Sequence, residues 1–317
     1  MSSTVPALRH ALVLTAGLGT RLRPLTDVRA KPAVPIAGEP LIRRIIAWLA
    51  ANDVTDLVLN LHHLPQTLTA EVGDGSDLSA RVRYSWEQPA ILGSAGGPRH
   101  ALPLLGAATF LLVNGDTLTD VDLPALTAAH AASGALVTLA VVPNGEPQRY
   151  GGVRLNADGA VTGFVASGPA SVGSYHFVGV QIVSADVFRD IPAGTAASSV
   201  GGVYDRLIAT RPGAIRGYAS DARFWDVGTP SDYLRTSNAF TGNAARGMHG
   251  RRARIDPSAR ITRSILWDDV EVGARSTLDG CIVTDGVNVP EGATYRRAML
   301  LRAKDGAAAA FPLPADD

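Results

Sequence analysis

Leu12-Val-Leu-Thr-Ala-Gly-Leu-Gly-Thr-Arg-Leu-Arg-Pro-Leu-Thr-Asp-Val-Arg-Ala-Lys-Pro32 is the stretch that decides how this chain is read. It opens on an apolar run of strand type, Ala11 to Leu14, and passes into a loop with Gly17 and Gly19. Small residues let a backbone approach a phosphate closely, and consecutive N–H groups can cradle it. Arg21, Arg23 and Lys31 then bring cationic side chains near that cradle. The spacing is not that of a Walker A loop, which needs GxxxxGK[ST]. Nor is it GxGxxG, because Leu22 stands where the third glycine belongs.

The same texture continues outward from the loop. Pro40 to Ala51 reads as a helix, with Leu41, Ile42, Ile45, Ile46 and Leu49 on one face and Pro40 at its start. Leu57 to Leu61 is a strand, His62 to Val72 is helical, and Arg81 to Ser85 is an edge strand. Phe110 to Val113 is a fully apolar strand ending at Asn114-Gly115-Asp116. Pro124 to Ala132 is helical and Ala135 to Val142 a strand. This β-α-β order predicts an α/β domain over residues 1–240. Its Rossmann-like, mostly parallel sheet is flanked by helices.

Past Asn238 the pattern changes. Residues 241–254 are rich in Gly, Ala and Arg and read as a linker. Ile255 to Ile261 then lines up with Val272 to Leu278 and with Val289 to Tyr295, stepping 17 residues each time. Ser264 to Val270 matches Cys281 to Val287 at the same step. Aliphatic residues six apart, followed by Gly, Pro or Asp, are the hexapeptide signature of a β-helix. Residues 255–303 are therefore expected to form a short left-handed β-helix of two to three coils. So short a solenoid cannot bury its own ends, so it should cap on the main domain or on a second subunit. The Ala/Pro-rich segment 304–317 reads as a flexible tail.

Composition bounds the function. Lys+Arg is 29 and Asp+Glu is 29, so a neutral chain has no global pull toward nucleic acid or anionic membrane. Apolar residues are 46% and charged residues 18%, which excludes bulk disorder. The single cysteine, Cys281, excludes an internal disulfide and a Cys-based zinc site. No apolar run reaches the ~18 residues that span a bilayer, and no signal-peptide core precedes the glycine loop. A cytoplasmic protein is expected.

Two aspartates stand at turns that suit chemistry. Asp116 follows an apolar strand, and ligands of open α/β sheets sit at the carboxyl ends of strands. A carboxylate there can hold Mg²⁺, which takes one or two carboxylates plus phosphate oxygens and water. It can equally bond its own backbone in the turn. Asp226 lies in Phe224-Trp-Asp-Val-Gly-Thr-Pro-Ser-Asp-Tyr-Leu234, a strand-to-helix turn with Thr229 as N-cap and Pro230 at N1.

Gly17 to Thr26, followed by Lys31-Pro-Ala-Val-Pro-Ile-Ala-Gly-Glu-Pro-Leu-Ile42, resembles the opening signature of the sugar-phosphate nucleotidyltransferases, or NDP-sugar pyrophosphorylases. That signature reads GxGTRLxPLT and then KPxxPIxGxPLI. Thr15 departs from the family's usual Ala or Gly. The resemblance implies Mg²⁺-dependent conversion of a nucleoside triphosphate and a sugar 1-phosphate to NDP-sugar and pyrophosphate. It implies nucleotide contacts from Ala16, Gly17, Gly19, Thr20, Arg21 and Lys31. Arg21 would hold the triphosphate, and Lys31 the α-phosphate region. Asp116 and Asp226 would jointly bind the metal.

The run Tyr84 to Gly97 resembles the family's second nucleotide loop, with Glu87, Leu92 and Gly93 as its matches. Arg149-Tyr-Gly-Gly-Val153 resembles the RYG segment that brings Gly151 to the sugar. His176 to Val180 resembles an FxGI segment that does the same for Gly179. One departure stands out: Ala166 and Ser167 replace the Glu-Lys pair that contacts the sugar phosphate in many relatives. Arg149, Arg154 or His176 would have to supply that charge.

The β-helix and the LGSAGG loop lean toward a mannose-1-phosphate guanylyltransferase-like enzyme, homo-oligomeric through the β-helix. The alternatives are a uridylyltransferase acting on glucose, N-acetylmuramic acid or a related sugar phosphate, and a non-catalytic regulatory subunit. Among weaker signals, His62 and His63 read as packing groups. Arg246, Arg251, Arg252, Arg254, Arg260 and Arg263 form a basic cluster that is either a solvated linker or a docking patch. Cys281 and Trp267 read as β-helix core.

Overall fold

The computed structural model describes residues 8–241, 248–304 and 306–314. Arg246 and the rest of residues 242–247 of the expected linker lie outside the described residues. The chain forms two compact units. One holds residues 1–17, 45–65 and 72–224. The other holds 18–44, 66–71 and 225–317. The segment from Leu18 to Arg44, most of the signature, thus belongs with the C-terminal repeats.

The first unit is built on a nine-stranded sheet. Four of its strands are parallel, in the spatial order 109–114, 10–14, 56–61, 81–86, the last forming the expected edge. Strands 10–14, 56–61 and 109–114 are buried runs of mostly aliphatic residues, as a sheet covered on both faces requires, whereas 81–86 is only partly buried. Beyond 109–114 the sheet turns mixed. Tyr175–Ser184 runs antiparallel to it and to Val137–Pro143, which in turn is parallel to Ile215–Ala219. Leu12, Val58, Phe110, Leu112, Leu139, Val183, Phe188 and Tyr204 share one core.

The helix expected at 40–51 is Leu41–Ala50, and its five apolar residues are buried. One helix was not legible. Gly93–Leu105 carries Pro98 and Pro103, and its first turn reads as loop in Leu-Gly-Ser-Ala-Gly-Gly.

In the second unit the 17-residue step is the register itself. Ile255 pairs with Val272 and Val272 with Val289. Ile261 pairs with Leu278 and then Tyr295, and Ile265 with Ile282 and then Met299. Three parallel ladders enclose Leu266, Val272, Leu278, Cys281, Val283, Val289 and Leu300. The repeats begin earlier than expected, since Met248–His249 already pairs with Ile265–Leu266.

The expected tail is also not wholly loose. Ala308–Pro312 folds back antiparallel on Ala298–Arg302. The basic cluster is matched one coil on: Arg251 to Asp268, Arg252 to Asp269, Arg254 to Glu271 and Arg263 to Asp279.

Candidate functional site

In the first unit the chain runs from 10–14 to 56–61 and 81–86 on one side, then returns to 109–114 on the other. That reversal makes the gap between 10–14 and 109–114 the switch point at which open α/β sheets bind ligands. Thr15, Ala16 and Gly17 leave one lip of it, and Gly115 and Asp116 the other. The Gly115 N–H donates to the Leu14 carbonyl at 3.0 Å. A Cβ on Gly115 would stand 2.6 Å from that oxygen, so only glycine lets the two strand ends close. Asp116 follows, half-buried, with the Thr117 hydroxyl 3.4 Å from its Oδ1. Gly17 is exposed, and a Cβ there would meet nothing within 4 Å, so its open face is available to a ligand.

A buried polar chain fixes this lip. The Thr15 N–H donates to Asn60 Oδ1 at 2.6 Å, and the Thr15 hydroxyl donates to the Asn60 carbonyl. Thr15 is therefore more than a tolerated variant of Ala or Gly. The Ala16 N–H reaches the same Oδ1 at 3.3 Å. Asn60 Nδ2 donates to Glu87 Oε1 at 2.7 Å, and the Leu92 N–H donates to Glu87 Oε2 at 2.6 Å. Glu87 is 1% exposed. Both of its oxygens face protein donors, which makes it a brace for the second loop. Its backbone carbonyl meets His62 Nδ1 at 2.7 Å, in keeping with a packing role for that histidine.

The second loop is tied from another side as well. The Ala95 and Gly96 N–H groups donate to the Ala197 carbonyl at 2.9 and 3.2 Å, and the Ala197 N–H donates to the Leu92 carbonyl at 2.9 Å. Gly93 has φ +76, and a Cβ there would lie 2.8 Å from the Ala197 oxygen. Its glycine is a packing requirement before it is a ligand contact.

On the far side of Asn114 lies Gly179, with φ +81; a Cβ there would sit 3.0 Å from the Asn114 side chain. A Cβ on Gly151 would lie 3.0 Å from the Val165 carbonyl, next to exposed Ala166 and Ser167. His176 stacks between Tyr150, at 4.4 Å, and Phe224, at 4.7 Å. Burial pushes its pKa below the ordinary value, which disfavours the charged form of His176. Arg149 lies over the Tyr150 ring at 4.9 Å and pairs with Glu146 at 3.5 Å; Arg154 donates to the Ala170 carbonyl at 3.3 Å.

The second unit carries Gly19, Thr20, Arg21, Lys31 and Asp226. Gly19 is left-handed, with φ +61, and its carbonyl accepts from the Thr26 hydroxyl at 3.0 Å and the Leu22 N–H at 2.9 Å. A Cβ on Gly19 would lie 2.7 Å from Thr26 Cγ2 and 3.2 Å from Lys31 Cβ. The loop is thus wound against the residue that opens the KP motif. Thr20 and Arg21 are exposed, while Lys31 is 8% exposed.

The Asp226 turn is built by a reciprocal cap. The Thr229 N–H donates to Asp232 Oδ2 at 3.0 Å, and the Asp232 N–H donates to the Thr229 hydroxyl at 3.2 Å. Thr229 and Pro230 open the helix as expected. A Cβ on Gly228 would meet Asp226 Oδ2 at 2.8 Å and an Arg21 guanidinium nitrogen at 3.4 Å. Arg21 and Asp226 therefore converge on one glycine.

Sequence reasoning missed Asn60, Ala197 and Arg29. Asn60 carried a signal, as the lone polar residue inside the apolar run Leu57 to Leu61; a strand's interior polar group needs a partner. Among the described residues, no cluster of three or more His, Cys, Asp or Glu could hold a metal by itself. No described helix is long and apolar enough to cross a membrane.

Comparison with known proteins fits this geometry. The family model described as Nucleotidyl transferase matches residues 10–243, and a GlmU-like C-terminal hexapeptide model matches 239–296. A mannose-1-phosphate guanylyltransferase of Mycobacterium tuberculosis is 32% identical over 90% of this chain and 83% of its own. An N-acetylmuramate alpha-1-phosphate uridylyltransferase of Neisseria meningitidis is 35% identical over 73% of this chain and 98% of its own. The crystal structure of HddC from Yersinia pseudotuberculosis complexed with GMP-PN superimposes with a TM-score of 0.63. It is 24% identical and covers 74% of this chain and 100% of that one, a likeness of fold.

Proposed function

We propose, from the premise that this chain belongs to the Nucleotidyl transferase family, that it joins a nucleoside triphosphate to a sugar 1-phosphate and releases pyrophosphate. The observation that carries this reading is the open face of Gly17 after strand 10–14, with Asp116 after the paired strand 109–114, at the sheet's switch point.

The chemistry suits the residues. A sugar phosphate has a second pKa of about 6 and is already an anionic nucleophile at neutral pH. No Ser or Cys nucleophile is required. The chain has to hold two anions in line and neutralise charge as the α-phosphorus is attacked. The backbone from Ala16 to Thr20 takes the phosphates, Arg21 the leaving pyrophosphate, and Lys31 the α-phosphate. Gly151 and Gly179 give the sugar close backbone approach.

Asp116 and Asp226 are proposed as ligands of Mg²⁺. The fit rests on donor chemistry. Hard carboxylate oxygens suit an ion that takes one or two carboxylates and is completed by phosphate oxygens and water. When bound, the ion would neutralise developing phosphate charge.

Guanylyl transfer to mannose 1-phosphate is the specific reading. The M. tuberculosis relative matches over 90% of this chain, repeats included, whereas the uridylyltransferase match covers 73%. Uridylyl transfer is retained as the second reading because that shorter match has the higher identity, 35%. A cytoplasmic homo-oligomer joined through the β-helix completes the proposal. Its support is the outermost strand, Ala308–Pro312, with Phe311 42% exposed.

Pyrophosphate release is to be measured with Mg²⁺ over GTP, UTP, dTTP, CTP and ATP against several sugar 1-phosphates. Turnover confined to GTP with mannose 1-phosphate is expected. Turnover only with UTP selects the second reading, and silence with every pair overturns the enzymatic one.

A further inference from the structure

Arg29 lies in the spacer of the signature, two residues before Lys31, and is 8% exposed. Its guanidinium is held by carboxylates more than two hundred positions away. Nε donates to Asp285 Oδ2 at 2.7 Å, and NH2 donates to Asp285 Oδ1 at 2.6 Å and to Asp268 Oδ2 at 2.8 Å. Asp268 and Asp285 are one step of 17 apart, so they occupy the same place on successive coils. The Asp268 N–H also donates to Asp285 Oδ1 at 3.1 Å, which locks the two rungs together. The guanidinium lies over the Trp267 ring at 5.3 Å. On its other side NH1 reaches the Ala33 carbonyl at 3.5 Å, in the short turn Lys31–Ala33.

The coils also touch the segment beyond Lys31. Trp267 Nε1 donates to the Tyr233 hydroxyl at 2.9 Å, and that hydroxyl donates to the Pro35 carbonyl at 2.6 Å. Lys31 is therefore bracketed, with anchors at Arg29 and Pro35.

Stability alone does not account for this arrangement. Arg29 and Arg251 face three carboxylates, Glu71, Asp268 and Asp285, in a largely buried cluster. Burying charges costs desolvation that an apolar contact avoids, so such a cluster adds little net stability. What a bidentate guanidinium–carboxylate pair adds is a defined position and orientation.

We propose that Arg29 is a positioning residue for Lys31, through which the Asp268–Asp285 pair of the β-helix sets the geometry of the transfer step. The proposal rests on the reading of Lys31 as a group that touches the α-phosphate.

The test is a double-mutant cycle on the full-length enzyme. Asp285→Asn should lower kcat about 10–100-fold with little change in KM, the scale on which a misplacement of about 1 Å acts. In a Lys31→Ala background, itself strongly impaired, the same change should cost less than about twofold. Asp269→Asn, which removes the exposed rung to Arg252, should leave kcat unchanged. Reactivity of the Lys31 amine toward an acylating label, read by mass spectrometry, should rise in Asp285→Asn.

Equal losses in both backgrounds overturn the positioning role alone. A normal rate in Lys31→Ala removes the role of Lys31 itself and this proposal with it. If Asp285→Asn does not fold, Asp268→Asn takes its place in the cycle, judged by the same outcomes.

Discussion

Asn60 donates its side-chain amide to Glu87 Oε1 at 2.7 Å while its own oxygen accepts from the Thr15 N–H at 2.6 Å. One buried amide thereby links the ends of three parallel strands and, through Glu87, the start of the helix Gly93–Leu105. The start of the glycine loop, at Thr15 and Ala16, and the second loop are held in one hydrogen-bonded frame.

Glu87→Ala strands the Asn60 amide and the Leu92 N–H in a buried setting. An expected cost is about 1–3 kcal/mol for each polar group left unpaired. Urea unfolding should show a lower midpoint with an unchanged slope. A midpoint equal to wild type would mean that Glu87 is not the brace.

Asp116→Asn and Asp226→Asn test the metal assignment. Each keeps shape and removes charge, so turnover should fall by about two orders of magnitude or more. Thermal unfolding should stay within a few degrees of wild type. A near-normal rate in either variant removes that residue from the assignment.

Gly228→Ala adds a methyl group 2.8 Å from Asp226 Oδ2, closer than a carbon and an oxygen can approach. The carboxylate must swing, and Arg21 faces the same point. The expected result is a fall in kcat of about tenfold or more, with a small change in stability. Unchanged kinetics would show that the Asp226 carboxylate is free to relocate without consequence.

The pH dependence of stability has a worked sign. Burial lowers the His176 pKa below its ordinary 6.5, so the unfolded state takes up a proton first as pH falls. Stability is thus lost as pH drops through about 6.5 and levels off below the folded-state value. His130 and His249 are shifted the same way by burial. In His176→Phe the loss of urea midpoint between about pH 7.5 and 5.5 should shrink but not vanish. A wild-type slope would show that His176 is not among the groups responsible.

The residues themselves determined what depends on local order. The glycine–arginine–lysine signature, the strand ending in Asn114-Gly115-Asp116, the Thr229 cap and the 17-residue step were all legible, because each is an interaction between neighbours or a period. The helix Gly93–Leu105 was not, since its glycines and prolines read as loop, and its first N–H groups are satisfied by Ala197 about a hundred positions on.

Only the tertiary structure decided what Glu87, Asn60 and Arg29 do. Glu87 matches a nucleotide-loop residue in sequence, yet burial at 1% and two backbone and amide donors make it a brace. Arg29 looks like one more cation beside a phosphate loop until Asp285, 256 positions away, closes on it. A buried polar group takes its role from the partner that satisfies it, and strand order and coil register choose that partner.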